Sequence, residues 1–217
     1  MNTLLHYYKL GGPIMHAILV CSIVAGGIVL AKLWQLARLR LDVPAFILEI
    51  FGLVERGELD KAAVRCHGNN HPLARVCEAG IRTAQQQRDS VETAMDAAGA
   101  EAVQELDRWM KGIATIITIL PMLGFLGTII GLILAFESWA GKGEGVQIAD
   151  LATGIFRAML TTAGGLLVAI PYVIIYNMLV GRIETVTTQM TKYSSELLVL
   201  LKRGNNTPIP MTSDEKL

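Results

Sequence analysis

Three observations predict an all-α membrane protein. Apolar residues make up 52% of the 217-residue chain, mean hydropathy is +0.45, and they gather into three long runs. Only 18% of residues are charged, against about 25% in an ordinary soluble domain. Between the runs helix formers dominate, with no alternating strand pattern. The 19 basic and 19 acidic residues balance, which argues against a nucleic-acid partner. Three cysteines, Cys21, Cys66 and Cys77, are too few for a disulfide scaffold and fit a reducing compartment.

No Asp, Glu, Lys or Arg occurs between Lys9 and Lys32, between Lys111 and Glu137, or between Arg157 and Arg182. Each gap exceeds the ~20 residues a helix needs to cross ~30 Å of hydrocarbon. A cleaved signal peptide would need a basic segment ahead of the first run. Here Lys9 alone precedes it, while Lys32, Arg38 and Arg40 follow, so a retained span is expected. Basic residues cluster after span one, before span two (Arg108, Lys111) and after span three (Arg182, Lys192, Lys202, Arg203). Such clusters stay cytoplasmic. The expected order is an external N-terminus (1–12), span one (13–33), a cytoplasmic helical region (34–111), span two (112–136), an external loop (137–154), span three (155–181), a cytoplasmic helix extension (182–203) and a flexible tail (204–217). Trp34, Trp109 and Trp139 fall near span ends, as interfacial anchors do.

In the cytoplasmic region, Asp42-Val-Pro44 reads as a helix start. Gly57 and Gly68-Asn-Asn-His-Pro72 read as breaks. Asp89 or Ser90 can cap the next helix, with Glu92 in its first turn. Val91, Met95, Ala98, Ala102, Leu106, Trp109 and Ile113 then recur every three or four residues. With no strong breaker following, one helix is expected from about Ser90 to Phe136. Ile183, Val186, Met190, Tyr193, Leu197 and Leu200 keep a coiled-coil-like spacing beyond span three, and Gly204 marks a stop.

Span two carries Gly124, Gly127 and Gly131 on one face. Span three carries Thr161, Gly165 and Ala169, with Gly154, Ala158 and Thr162 beside them. Small faces allow close helix approach in lipid. They fit either three packed helices with no pathway or an oligomer whose second and third helices line a central space. The interiors of spans two and three hold no Asp, Glu, Lys, Arg or His, although intramembrane proton relays normally need an ionisable group of that kind. If the protein works with protons, a partner must supply the titratable group. His16 in span one reads as interfacial or bonded to a neighbour. Enzyme readings fare poorly, since no Ser/His/Asp set assembles around the spans. Cys66, His67, His71 and Cys77 cluster without a standard zinc spacing and read as surface histidines and buried thiols. No cofactor is expected.

Leu120-Pro-Met-Leu-Gly-Phe-Leu-Gly-Thr-Ile-Ile-Gly131 and Arg157-Ala-Met-Leu-Thr-Thr-Ala-Gly-Gly-Leu-Leu-Val-Ala-Ile-Pro-Tyr-Val-Ile-Ile-Tyr-Asn177 resemble the MotA/TolQ/ExbB proton-channel family, its ExbB/TolQ branch most. Arg56-Gly-Glu-Leu-Asp-Lys-Ala-Ala63 and His71-Pro-Leu-Ala-Arg-Val76 extend the likeness over most of the chain. The resemblance implies an inner-membrane homopentamer around the helices of an ExbD/TolR-type dimer. That partner brings an intramembrane Asp and delivers work to a periplasmic TonB- or TolA-type protein. The N-terminus would then be periplasmic and the C-terminus cytoplasmic. By the same carry-over, Thr128 and Thr162, with Thr161 beside them, lie on the ion pathway, and Pro121 and Pro171 shape the helices. One position departs: the family commonly has Glu where this chain has Arg157. Pairing of Arg157 at the periplasmic mouth with Glu137, Glu144 or Asp150, or with an acidic partner residue, is expected. The powered process could be TonB-type import, Tol-type envelope maintenance or a gliding-type motor. The remaining readings are a passive scaffold or a channel or enzyme acting alone.

Overall fold

A computed structural model describes residue 8 and residues 10–39, 42–86, 90–142 and 148–205. Residues 1–7, 9 and 206–217 of the expected terminal segments lie outside the described residues, as do Arg40, Asp89, Glu144 and the side chain of Asp150. Among the described residues every regular element is helical: α1 (Gly12–Arg38), α2 (Val43–Glu55), α3 (Leu59–Cys66), α4 (Pro72–Gln85), α5 (Val91–Asp107), α6 (Met110–Lys142) and α7 (Ile148–Asn205). Three helices are long and apolar enough to cross a membrane. The chain divides into two compact units, one of residues 1–34 and 109–180, the other of residues 35–108 and 181–217.

The first unit holds the apolar helices. Its core is thin: Ile18, Leu120 and Ala169 are buried, with Met15, Ile116 and Leu123 packed around them. Val20, Leu30, Met122, Leu134 and Leu167 are all more than half exposed. A helix apolar on every side belongs in lipid, which takes the place of a protein partner. Helix α1 is tied to α7 by the Tyr172 hydroxyl, which donates to the Ser22 carbonyl at 2.8 Å. The missing Cβ of Gly26 makes room for that hydroxyl, which would sit 3.0 Å away.

The second unit is built like a soluble bundle. Asp42 caps α2 by accepting from the Ala45 N–H at 3.5 Å. That helix ends in a Schellman turn: Glu58 N–H donates to Leu53 O at 2.9 Å and Gly57 N–H to Val54 O at 3.0 Å. The turn needs the positive φ of 75° that Gly57 supplies. Ile50, Leu73, Val76, Cys77, Ile81 and Leu197 are fully buried in one core that also takes Val91, Met95 and Ala102 from α5 and Met190 and Leu201 from α7. Gly80 lets α4 and α5 approach closely, since a Cβ there would lie 2.6 Å from the Met95 sulfur. Lys202 closes the bundle on Glu92 at 2.7 Å.

One element differs from expectation. The helix expected from Ser90 to Phe136 is two helices, broken where Arg108 takes ψ 130° and Trp109 a φ of 69°. A tryptophan at positive φ carries a steric cost that surrounding structure must offset. The break falls where two different helices meet. Helix α5 is amphipathic and buries one stripe, whereas α6 is apolar all round. Arg108 and Trp109 also mark the border between the two units. Elsewhere α6 continues past Phe136 to Lys142, and α7 passes Gly204 by one residue.

Candidate ion-pathway site

Helices α6 and α7 run antiparallel along a seam of small residues, and each glycine is required by what faces it. A Cβ at Gly165 would lie 2.7 Å from the Leu120 carbonyl oxygen, and one at Gly124 would lie 3.1 Å from Thr162 Cα. At Gly127 it would meet the Thr161 hydroxyl at 2.3 Å, at Gly131 the Ala158 Cβ at 2.8 Å, and at Gly154 the Ala135 Cβ at 2.5 Å. The small faces that could have lined an open space are thus filled, within one chain, by one another.

Three threonine hydroxyls converge inside this seam on two carbonyls. Thr162 donates to Gly124 O at 2.9 Å. Thr128 reaches Ala158 O at 3.1 Å and Gly124 O at 3.4 Å. The Thr128 and Thr162 hydroxyls also bond each other. Thr161 gives its proton to Ala158 O at 2.7 Å, with Gly124 O at 3.3 Å. The three are not equivalent. Thr161 is only 3% exposed, wedged against Gly127, and its hydroxyl is spent on its own helix. Thr128 and Thr162 are half-buried. Whichever of the two donates to the other, the acceptor's own proton goes to a carbonyl, and each oxygen keeps accepting capacity. Such a pair can reverse its direction of donation, but a threonine hydroxyl has no accessible titration with which to hold a proton.

A cleft of about 480 Å³ opens beside the cluster, reaching from Ser138 and Arg157 past Gly131 and Gly154 to Gly127 and Thr161. Arg157 and Glu137 are both exposed. Among the described residues Arg157 makes no ion pair, so the expected bond to Glu137 is not formed. Pro121 and Pro171 lie inside helices that continue through them. Each removes one backbone donor, and Pro121 borders an apolar surface hollow with Met122 and Phe125. His16 bonds the Gly12 carbonyl of its own helix at 3.2 Å.

The Cys/His cluster has other duties. Cys66 and Cys77 are buried. Burial pushes the Cys66 thiol up to about 12 and the Cys77 thiol upward as well, which suppresses thiolate chemistry. His67 lies at the surface, 2.9 Å from Glu78, and His71 caps α4. Sequence reasoning missed that cap, and it missed the Tyr172–Ser22 bond. The cap has a local signal in His-Pro at a helix start, whereas the bond joins residues 150 positions apart.

A model of the MotA/TolQ/ExbB proton channel family matches residues 68–192. An ExbB homologue of Methanothermobacter thermautotrophicus, described as a biopolymer transport protein, is 27% identical over 94% of this chain and 75% of its own length. The biopolymer transport protein ExbB of Aquifex aeolicus is 38% identical over 39% of the chain and 57% of its own length. The Tol-Pal system protein TolQ of Haemophilus influenzae is 30% identical over 51% of the chain and 48% of its own length.

Proposed function

The chain belongs to the MotA/TolQ/ExbB proton channel family, a multi-pass membrane family, and on that premise we propose that it is the ExbB/TolQ-like subunit of a proton-driven motor. The subunit sits in the bacterial inner membrane with its N-terminus periplasmic and its C-terminus cytoplasmic, and it assembles as a homopentamer around an ExbD/TolR-type single-span dimer. The motor energises TonB-dependent transport across the outer membrane. The observation that carries this reading is the half-buried Thr128–Thr162 pair, two hydroxyls bonded to each other in spans whose interiors contain no Asp, Glu, Lys, Arg or His. Such a pair can orient a carboxylic acid or water and pass a hydrogen bond along, but the charge must be carried by something else. A partner aspartate meets that need. Thr161 and the glycine seam hold the pair in place.

The drive is adequate. One elementary charge crossing ~100 mV releases ~2.3 kcal/mol, enough to bias a step about 50-fold, since ~1.4 kcal/mol is a factor of ten. The Arg157 guanidinium, at the edge of the cleft, would repel protons as hydronium unless a carboxylate of the outer loop or the partner neutralises it.

A second reading within the same class, a Tol-type envelope-maintenance subunit, draws support from the likeness to TolQ. The mechanism is the same and the periplasmic load differs. Proton flux into liposomes holding this chain with its partner, wild type or Asp→Asn in the partner's span, tests the common mechanism. Flux with the wild-type pair alone is expected. Equal flux from both pairs overturns the partner-carrier mechanism, and no flux from either favours a passive scaffold.

A further inference from the structure

A polar pocket of about 360 Å³ lies in the second unit, between the end of α1 and the turn that joins α3 to α4. Its walls are Arg38, Arg65, His67, Asn69, Asn70 and His71. The turn is held open by Gly68 at φ 78° and by Asn69, whose side-chain oxygen accepts from the His71 N–H at 3.0 Å. These bonds leave donors facing the space. Asn69 has used its oxygen and keeps its NH2. Asn70 is exposed, and its side chain has no partner among the described residues. Arg65 gives Nε to Glu49 at 2.8 Å, and among the described residues neither Nη group has an acceptor. His67 Nδ1 is taken up either by donating to Glu78 at 2.9 Å or by accepting from Arg82 at 3.3 Å, according to its tautomer.

His71 is the most telling member. It is only 4% exposed, and its Nδ1 accepts from the Leu73 N–H at 3.3 Å, so the ring proton sits on Nε2. Among the described residues that Nε2–H has no partner, yet no fully buried side-chain nitrogen or oxygen there goes unbonded. The atom therefore opens to the pocket its ring lines. A ring more than nine-tenths buried, offering a donor beside two arginines and two amide NH2 groups, is arranged for an oxygen-rich anion.

The position narrows the source. Arg38 is the last residue of α1, five residues past Leu33 at the end of the apolar run. At ~1.5 Å per residue that is ~7.5 Å, about the depth of the headgroup layer beyond the hydrocarbon. We propose that this pocket binds a phosphate group, carried by the headgroup of an anionic phospholipid or by a free phosphate. Binding there pins the end of α1 to the α3–α4 turn. The site is separate from the threonine cluster, and its occupancy does not depend on which ion moves or which partner is driven.

The test uses the full chain in detergent micelles and reads the thermal midpoint. Phosphatidylglycerol is compared with phosphatidylcholine of the same acyl chains, and sodium phosphate with sodium chloride at matched ionic strength. Phosphatidylglycerol is expected to raise the midpoint by on the order of 3 °C more than phosphatidylcholine. That difference should vanish in Arg38→Gln/Arg65→Gln and shrink in Asn70→Ala. A rise from sodium phosphate alone, lost in the same variants, supports the phosphate site and assigns it to a free ligand. The proposal is overturned if neither probe exceeds its control, or if the rise persists in full in both variants. Should the arginine variant fail to fold, Asn70→Ala, which removes only an exposed amide, decides alone.

Discussion

Thr128, Thr161 and Thr162 all reach the Gly124 carbonyl, and Thr128 and Thr161 also reach that of Ala158, yet they differ in what remains available once those bonds are made. Thr162→Val keeps the side-chain shape and removes the hydroxyl. We expect partner-dependent proton flux to fall on the order of tenfold, the effect of losing roughly one hydrogen bond of ~1.4 kcal/mol from the rate-limiting arrangement. Thr162→Ser should retain most of it. Loss of folded protein in Thr162→Val, measured by size exclusion, would mean the hydroxyl serves packing instead. His71 offers a second residue-scale check. Burial holds its ring below the ordinary histidine range, so as pH falls through ~6.5 the unfolded chain takes up a proton before the folded one does. Stability should therefore decline below that pH until the folded ring protonates as well. His71→Asn keeps a capping acceptor and should flatten the wild-type difference in thermal midpoint between pH 7.5 and 5.5. The threonine motif was legible in the sequence, but its division of labour was not. Thr161 and Thr162 are neighbours, and which one is buried depends on the facing helix.

At the scale of elements, spans one to three and the caps at Asp42 and Gly57 were readable because each depends on local composition or on a few adjacent residues. The break at Trp109 was not, because neither Arg108 nor Trp109 is a helix breaker. Helix α7 crosses the same change between an all-round apolar and a one-sided helix unbroken, so a change of surroundings does not by itself mark a break. The small-residue faces were readable as faces, but their partner was not: periodicity says that something approaches closely and never what. The seam now makes a graded prediction. Gly165→Ala drives a Cβ against the Leu120 backbone and should cost about 1–3 kcal/mol, measured by denaturant titration in micelles. Gly181→Ala meets nothing within 4 Å and should be neutral or stabilising by up to ~1 kcal/mol. Equal effects at the two sites would contradict the packing described.

At the scale of the whole molecule, charge placement matters more than contact. The interiors of spans two and three carry no Asp, Glu, Lys, Arg or His, so any current depends on what is brought in and on the field at the mouth. Arg157→Glu reverses one charge per subunit there. If the guanidinium gates access, partner-dependent flux should change by more than tenfold, with complex formation intact in pull-down. Unchanged flux would remove Arg157 from the mechanism.

Each unit is assembled from two separated stretches of chain, and this has a consequence for biosynthesis. While the ribosome is still making the third span, the segments that become α2–α5 already exist with their apolar sides uncovered. Their core is completed only by Met190, Leu197 and Leu201, which are made after the third span. The nascent protein therefore passes through a stage with every span made and the bundle unfinished. A chain stopped after Gly181 should insert into membranes normally and still be cleared by proteases that recognise exposed apolar surface. Pulse-chase comparison with the intact chain would reveal that short life. Maturation of the bundle thus waits on the segment that follows the third span.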